Sequence, residues 1–252
     1  MDSARAAISY MVSCNGHALS FSPAGRTNNN LVQMATMMVL SKLTGSPVCI
    51  PSVLKPFVDH FDLAESRRSF CISNHCPSTT NITAEVSFHR RHPLLHAVNR
   101  SVFDDALALL LKHPKGDLRK DLAPFCTVTA AVHVRNLEGS CERRLHYNRS
   151  LTPICNLTPT FVRDSLSHCS LKEVYVASDH QLPLVEQRLV SHFHASRYDR
   201  ASSTRALLVD LMVLAIAAAR DRCALLNPVS TFSRNALALR PSANNWCARS
   251  IS

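Results

Sequence analysis

The amino-acid sequence predicts an α/β fold with parallel sheets and helices on both faces, and three observations carry that reading. Runs of β-branched and small apolar residues, such as Thr127 to Arg135 and Glu173 to Ala177, read as strands covered on both faces. Strand and helix patterns alternate through the second half of the chain, which implies a parallel sheet. Polar residues gather at the carboxyl ends of those strands, where open α/β sheets bind ligands.

In order along the chain, Ile8 to Ser13 reads as a first strand. Gly25-Arg26-Thr27-Asn28-Asn29-Asn30 reads as a polar turn, and Leu31 to Leu43 as a helix stopped by Gly45 and Pro47. Val48 to Ile50 then forms a second strand and completes a βαβ unit. From Leu54 to Pro93 the pattern is short strands and loops, with apolar pieces at Phe70 to Ile72 and Val86 to Phe88. Val102 to Leu111 is a helix with Phe103, Leu107, Leu110 and Leu111 near one stripe. Lys115-Gly116-Asp117 is a polar break, which divides the chain into domains 1–117 and 118–252.

In the second domain the strand Thr127–Arg135 is followed by a polar stretch through Pro153, long enough for a lid or acceptor loop. Phe161 to Cys169 reads as a helix capped by Thr158 or Thr160. A strand at Glu173–Ala177 ends on Ser178-Asp179, and helices follow over Leu184–Phe193 and Arg205–Ala219. Cys223 to Leu226 is a short strand closed by Asn227-Pro228, and Ser230 begins the last helix.

With 46% hydrophobic and 18% charged residues, the chain suits a globular protein with a real core. A net charge of +10 suits phosphate-bearing partners, whether nucleic acid, sugar nucleotide or an anionic surface. The pairs Arg67-Arg68, Arg90-Arg91 and Arg143-Arg144 are scattered, and aromatics are only 6%. Nucleic-acid binding favours a clustered basic patch with interleaved aromatics, so that partner ranks last. The 10 cysteines are even in number and suit an oxidising compartment. Cys71, His75 and Cys76 lack a second half with zinc-finger spacing, which places zinc below disulfides or buried thiols. Sequons begin at Asn81, Asn99, Asn148 and Asn156 and permit glycosylation. No signal peptide or transmembrane segment is visible: the longest apolar run, Ala206 to Ala219, is too short and contains Asp210. The expectation is a soluble chain, or one whose anchor is absent from it.

Four groups of residues carry possible chemistry. His133 and Arg135, two apart on a strand, share a face, and a guanidinium there grips phosphate with two parallel hydrogen bonds. The plainer reading is a surface ion pair and a satisfied histidine. Asp179 follows a strand, where a carboxylate commonly takes a ribose hydroxyl; it would equally cap the next helix. Asp210 sits among Ala206, Leu207, Val213 and Leu214 at helical spacing, an apolar face on which a carboxylate needs hydrogen bonds. A guanine edge would satisfy it, as would Arg205 or a backbone N–H. Ser230-Thr231-Phe232-Ser233 open a helix, where free N–H groups and hydroxyls bind phosphate; Ser230 as a simple cap is the bland reading.

These residues resemble the fucosyltransferase superfamily that includes the protein O-fucosyltransferases and the α1,2- and α1,6-fucosyltransferases. Gly25-Arg26-Thr27-Asn28-Asn29 is similar to its glycine-rich N-terminal turn, and His133-Val134-Arg135 to its H-x-R motif. Tyr175 to Asp179 is similar to its strand ending in Ala-Thr-Asp, and Leu208 to Leu211 with Val229 to Ser233 to its last motif pair. The resemblance implies the GT-B arrangement: two Rossmann-like domains with parallel sheets facing across a cleft. It implies GDP-fucose as donor, a glycan or protein hydroxyl as acceptor, no cofactor or metal, and inverting transfer. Arg135 would clamp the diphosphate and stabilise departing GDP. His133 and Asp210 would read guanine, Asp179 would lie near the nucleoside, and Ser230, Thr231, Phe232 and Ser233 would meet phosphate. Gly25, Arg26 and Asn29 would approach from the N-terminal domain, with Asn29 and Arg135 at the reacting centre. An ER or Golgi lumen location follows by the same analogy.

The sequence agrees in one independent respect, because it contains no D-x-D triplet to hold a catalytic cation. It departs in others: Asn136 replaces the family's second arginine, Glu138 its aspartate, and Asn28 its glycine. These departures sustain the alternative of a family member that binds a GDP-sugar without transferring it. The few glycines, at 16, 25, 45, 116 and 139, exclude G-x-G-x-x-G and P-loop motifs.

Overall fold

The computed structural model describes residues 18–21, 27–73, 79–82, 95, 97–135, 155–198, 204–227 and 230–247. The chain forms two compact units, Met1–Lys115 and Gly116–Ser252. The strand read over Ile8–Ser13, the turn residues Gly25 and Arg26, the apolar piece Val86–Phe88 and the polar stretch after Arg135 lie outside the described residues.

In the first unit the strands are β1 (Ala18–Phe21), β2 (Val48–Cys49), β3 (Ile72–Ser73) and β4 (Thr79–Ile82). They lie side by side in the order β3-β2-β1-β4, all parallel. The helices are α1 (Thr27–Thr44), α2 (Lys55–Val58), α3 (Ala64–Ser69) and α4 (Arg100–Leu110). A βαβ unit is present, but its first strand is Ala18–Phe21. Helix α1 begins at Thr27, so Asn28 and Asn29 lie in its first turn and not in a loop before it. The apolar pattern starts only at Leu31, whereas the first helical turn makes no intrahelical N–H bonds and readily takes polar residues. Its stop is as read: Gly45 follows with φ 68°, a conformation that suits glycine. Helix α4 is capped by Asn99, whose side chain accepts from the Ser101 N–H, and it buries Phe103, Ala106, Leu107 and Leu110.

The second unit continues the numbering with α5 (Gly116–Leu122), β5 (Ala130–Val134), α6 (Pro159–Ser165), β6 (Val174–Ser178), α7 (Pro183–Phe193), α8 (Thr204–Ala219), β7 (Ala224–Leu225) and α9 (Thr231–Cys247). The strand order is β6-β5-β7, all parallel. The strand expected over Thr127–Arg135 is trimmed at both ends. Val128 still donates to Phe125 in the preceding turn at 3.2 Å, and ladder pairing starts only where Ala130 meets Val174. The helix read to Cys169 stops at Ser165, and Cys169 instead joins Cys223 in a disulfide. Thr158 is its cap, accepting from the Phe161 N–H.

Every residue of β5 is buried, as a central strand covered on both faces requires. Successive side chains point to opposite faces. Ala130, Val132 and Val134, with Val174 and Val176, pack against Val162 and Leu166 at α6 and Leu189 of α7. Ala131, His133, Tyr175 and Ala177 face the other way, where α8 packs on β5 and β6 and α9 packs on α8. The sheet is therefore sandwiched between two helical layers. Apart from Asp210, helix α8 is apolar on every side from Ala206 onward, which explains the burial of Leu208, Val209 and Leu211 to Ala218. A second disulfide, Cys126–Cys247, ties the end of α9 to the segment before β5. Cys49, Cys71 and Cys155 are disulfide-bonded too, so Cys71 offers no thiolate to a metal.

Candidate functional site

The parallel register of the second sheet brings three chain ends to one edge. Val134 pairs with Ser178 and Val132 with Leu225, so Arg135, Asp179 and the segment after β7 leave the sheet at its carboxyl side. Ligands of open α/β sheets bind at such an edge.

His133 and the start of α9 are joined directly. Nδ1 of His133 lies 2.8 Å from Oγ of Ser233, and its ring lies against Phe232 with centroids 4.9 Å apart. Burial, reinforced by the charge of Arg135, pushes the His133 pKa down to about 3, so the imidazole is neutral at physiological pH. Arg135 follows the strand and is half-buried. Four of the residues read from sequence, His133, Arg135, Phe232 and Ser233, are thus brought together.

Ser230 occupies the capping position of α9, its carbonyl accepting from the Arg234 N–H at 3.1 Å. Its hydroxyl, however, does not cap. The side chain is buried at 7% exposure, and Oγ has no hydrogen-bond partner among the described residues. A buried hydroxyl with no partner among the described residues costs stability, and it stands here at the positive end of a long helix. Thr231, next in the chain, is half-exposed.

Asp210 is half-buried on α8, and the hydroxyl of Tyr175 donates to its Oδ1 at 2.5 Å. The Ser178 backbone N–H also donates to it. Burial raises its pKa to about 7 against the pull of the Tyr175 bond, with nearby Glu186 adding to the rise. Arg205 is not its partner; that side chain binds Asp121, as does the Tyr198 hydroxyl. A carboxylate offers about four lone-pair sites, so acceptor capacity remains at Asp210. Asp179 is half-buried, and its Oδ1 accepts from the Gln181 N–H at 3.2 Å, forming a turn rather than capping α7. Asn29 lies half-buried in the first turn of α1 in the other unit.

A network that the sequence did not disclose stands beside Asp179. Glu186, only 4% exposed, takes Nδ1 of His180 at 3.0 Å on one oxygen and Arg197 at 3.0 Å on the other. The Ser178 hydroxyl donates to it as well. Burial alone would raise the Glu186 pKa, but these hydrogen bonds outweigh it and hold the carboxylate below its usual range. Its place on α7, one turn in from a proline start, looks like an ordinary surface glutamate. The one hint in the sequence is the run Ser178-Asp179-His180 with Glu186 after it.

A second cluster, His168 with Cys169 and Cys223, has the spacing of a metal site, but both sulfurs are spent on their disulfide. Among the described residues no helix is long and apolar enough to cross a membrane.

No family model and no curated protein matches the sequence. Solved structures do match the fold. The crystal structure of the α-1,6-fucosyltransferase NodZ soaked with GDP-fucose superposes with a TM-score of 0.51 over 90% of this chain and 94% of that one, at 12% identity. The fucosyltransferase NodZ from Bradyrhizobium gives 0.50 over 90% and 95%, at 13% identity. The chain therefore has a fucosyltransferase-like α/β fold. At this identity the likeness is one of architecture, and fold alone does not carry function.

Proposed function

We propose that the chain binds GDP-fucose through its second unit and transfers fucose, with inversion and without a metal, to a glycan or protein hydroxyl. The observation that supports this most is the buried Ser230 hydroxyl at the start of α9, without a partner among the described residues and next to a helix turn already joined to His133. A diphosphate satisfies that hydroxyl and the free N–H groups of the helix start, and Arg135 supplies the matching charge.

In this reading Arg135 neutralises the charge that grows on GDP as the glycosidic bond breaks, in place of a cation. His133 stays neutral because it is buried beside that charge, so it contributes hydrogen bonding to the donor and not a second positive charge. Asp210 accepts from the guanine edge with the oxygen capacity that Tyr175 and Ser178 leave. The GT-B cleft, the part of Asn29, Gly25 and Arg26, and an ER or Golgi location belong to the same proposal. That the fold matches a structure soaked with GDP-fucose supports the choice of donor.

The test is release of free GDP from GDP-fucose. Wild type should turn over, and Arg135→Ala should lose about 100- to 1000-fold in kcat, the usual cost of removing a group that stabilises developing negative charge. Absence of GDP binding by calorimetry would refute the reading. Binding without turnover would leave a GDP-sugar-binding protein that does not transfer.

A further inference from the structure

His180 is held more tightly than an exposed residue needs to be. It stands two residues past the end of β6, at the sheet edge where Val134 and Ser178 are paired and Arg135 and Asp179 follow. Its backbone has φ 58°, a left-handed conformation that few non-glycine residues adopt. Its N–H donates to Oγ of Ser178 at 3.0 Å. Its Nδ1 lies 3.0 Å from Oε2 of Glu186, and that carboxylate is itself fixed by Arg197 at 3.0 Å. Yet the side chain is 59% exposed. Strain and a buried carboxylate together aim a side chain that solvent alone would satisfy.

The chemistry of the pair defines what it would meet. In the neutral ring, an Nδ1 that faces a carboxylate carries the proton, and Nε2 is then a lone-pair acceptor. Nε2 has no hydrogen-bond partner among the described residues. A lone-pair acceptor repels phosphate oxygens and takes O–H or N–H donors. At the carboxyl edge of a parallel sheet, where nucleotides commonly bind, a sugar hydroxyl is such a donor.

We infer that His180, oriented by Glu186, accepts a hydrogen bond from a ribose hydroxyl of the bound nucleoside diphosphate and is a specificity-determining residue of the donor site. This rests on the donor reading above.

The test crosses ligand with variant, using the full chain. GDP, 2′-deoxy-GDP and 3′-deoxy-GDP are titrated into wild type, His180→Asn and Glu186→Gln by calorimetry. Asparagine tolerates the left-handed backbone better than most residues, which preserves the turn while removing the imidazole. Because GDP carries no fucose, the assay separates a ribose contact from one to the transferred sugar. Wild type should prefer GDP over one deoxy analogue by about tenfold, the worth of one buried hydrogen bond. His180→Asn should weaken GDP by about the same factor and leave that analogue unchanged, so the preference collapses. Glu186→Gln should reduce the preference in part. If His180→Asn weakens all three ligands equally, or none, the residue is only a brace for the turn and the inference is overturned. If wild type binds no GDP, the donor reading falls and takes this inference with it.

Discussion

The ends of β5 and β6 lie side by side in one sheet, yet they are held by opposite means. At the end of β5, His133 depends on Ser233, a partner 100 residues further along the chain. At the end of β6, His180 depends on Glu186, a partner 6 residues away, and Glu186 on Arg197, 11 residues beyond it. The first end exists only when α9 is docked. The second is built within one stretch of chain from Ser178 to Arg197. A site made of both would pair a phosphate end assembled by tertiary contacts with a nucleoside end assembled locally. Disturbing α9 should therefore cost the first and spare the second.

The largest effect should come from the Cys126–Cys247 disulfide, which fixes the far end of α9 and closes a separation of 121 residues. Loop entropy for such a closure is worth up to about 5 kcal/mol. The double substitution Cys126→Ser and Cys247→Ser should lower stability by several kcal/mol in urea unfolding. It should also weaken GDP more than it weakens guanosine, since the nucleoside lacks the diphosphate that α9 would hold. Equal weakening of both ligands would break the contrast between the two ends.

A smaller, local effect is expected at Glu186. Glu186→Ala leaves Arg197 and His180 without their common partner, and both are partly exposed, so the cost should be about 2 kcal/mol in unfolding free energy. Contacts of His133 with α9 should survive, visible as an unchanged chemical shift of its buried ring.

Smallest, and specific in its sign, is the pH dependence carried by Asp210. Its folded pKa is raised to about 7 from the 3.8 of a free aspartate. The folded state therefore holds its proton more firmly than the unfolded chain does. The resulting stability is fully present below about pH 4 and is lost as pH rises toward about 7. Asp210→Asn removes that loss. It should be more stable than wild type at pH 8 by about 1 kcal/mol, after discounting for partial exposure. Near pH 4 the difference should vanish, and a constant offset across that range would show that Asp210 does not titrate there.

Much of the second unit was legible because its signals are local. A run such as Ala130 to Val134 reads as a buried strand from composition alone, and Thr158 and Gly45 mark helix limits by hydrogen-bonding capacity and tolerance of positive φ. The convergence of His133 with Phe232 and Ser233 was reached from strand ends and a helix start. Glu186 escaped notice because its role depends on burial and on Arg197, neither of which a surface-like helix position reveals. The start of α1 was misplaced because first-turn residues carry no apolar period.

By itself the sequence determined an alternating α/β chain, which residues would end the strands of its second sheet, and the scarcity of glycine that excludes other nucleotide motifs. Only the tertiary structure decided that the Ser230 hydroxyl is buried with no partner among the described residues, that Tyr175 and not Arg205 holds Asp210, and that His180 is strained against a buried glutamate. The physical reason is the range of the forces involved. Backbone preference and hydrophobic period act over a few residues, whereas desolvation and hydrogen-bond satisfaction depend on which distant segments pack together.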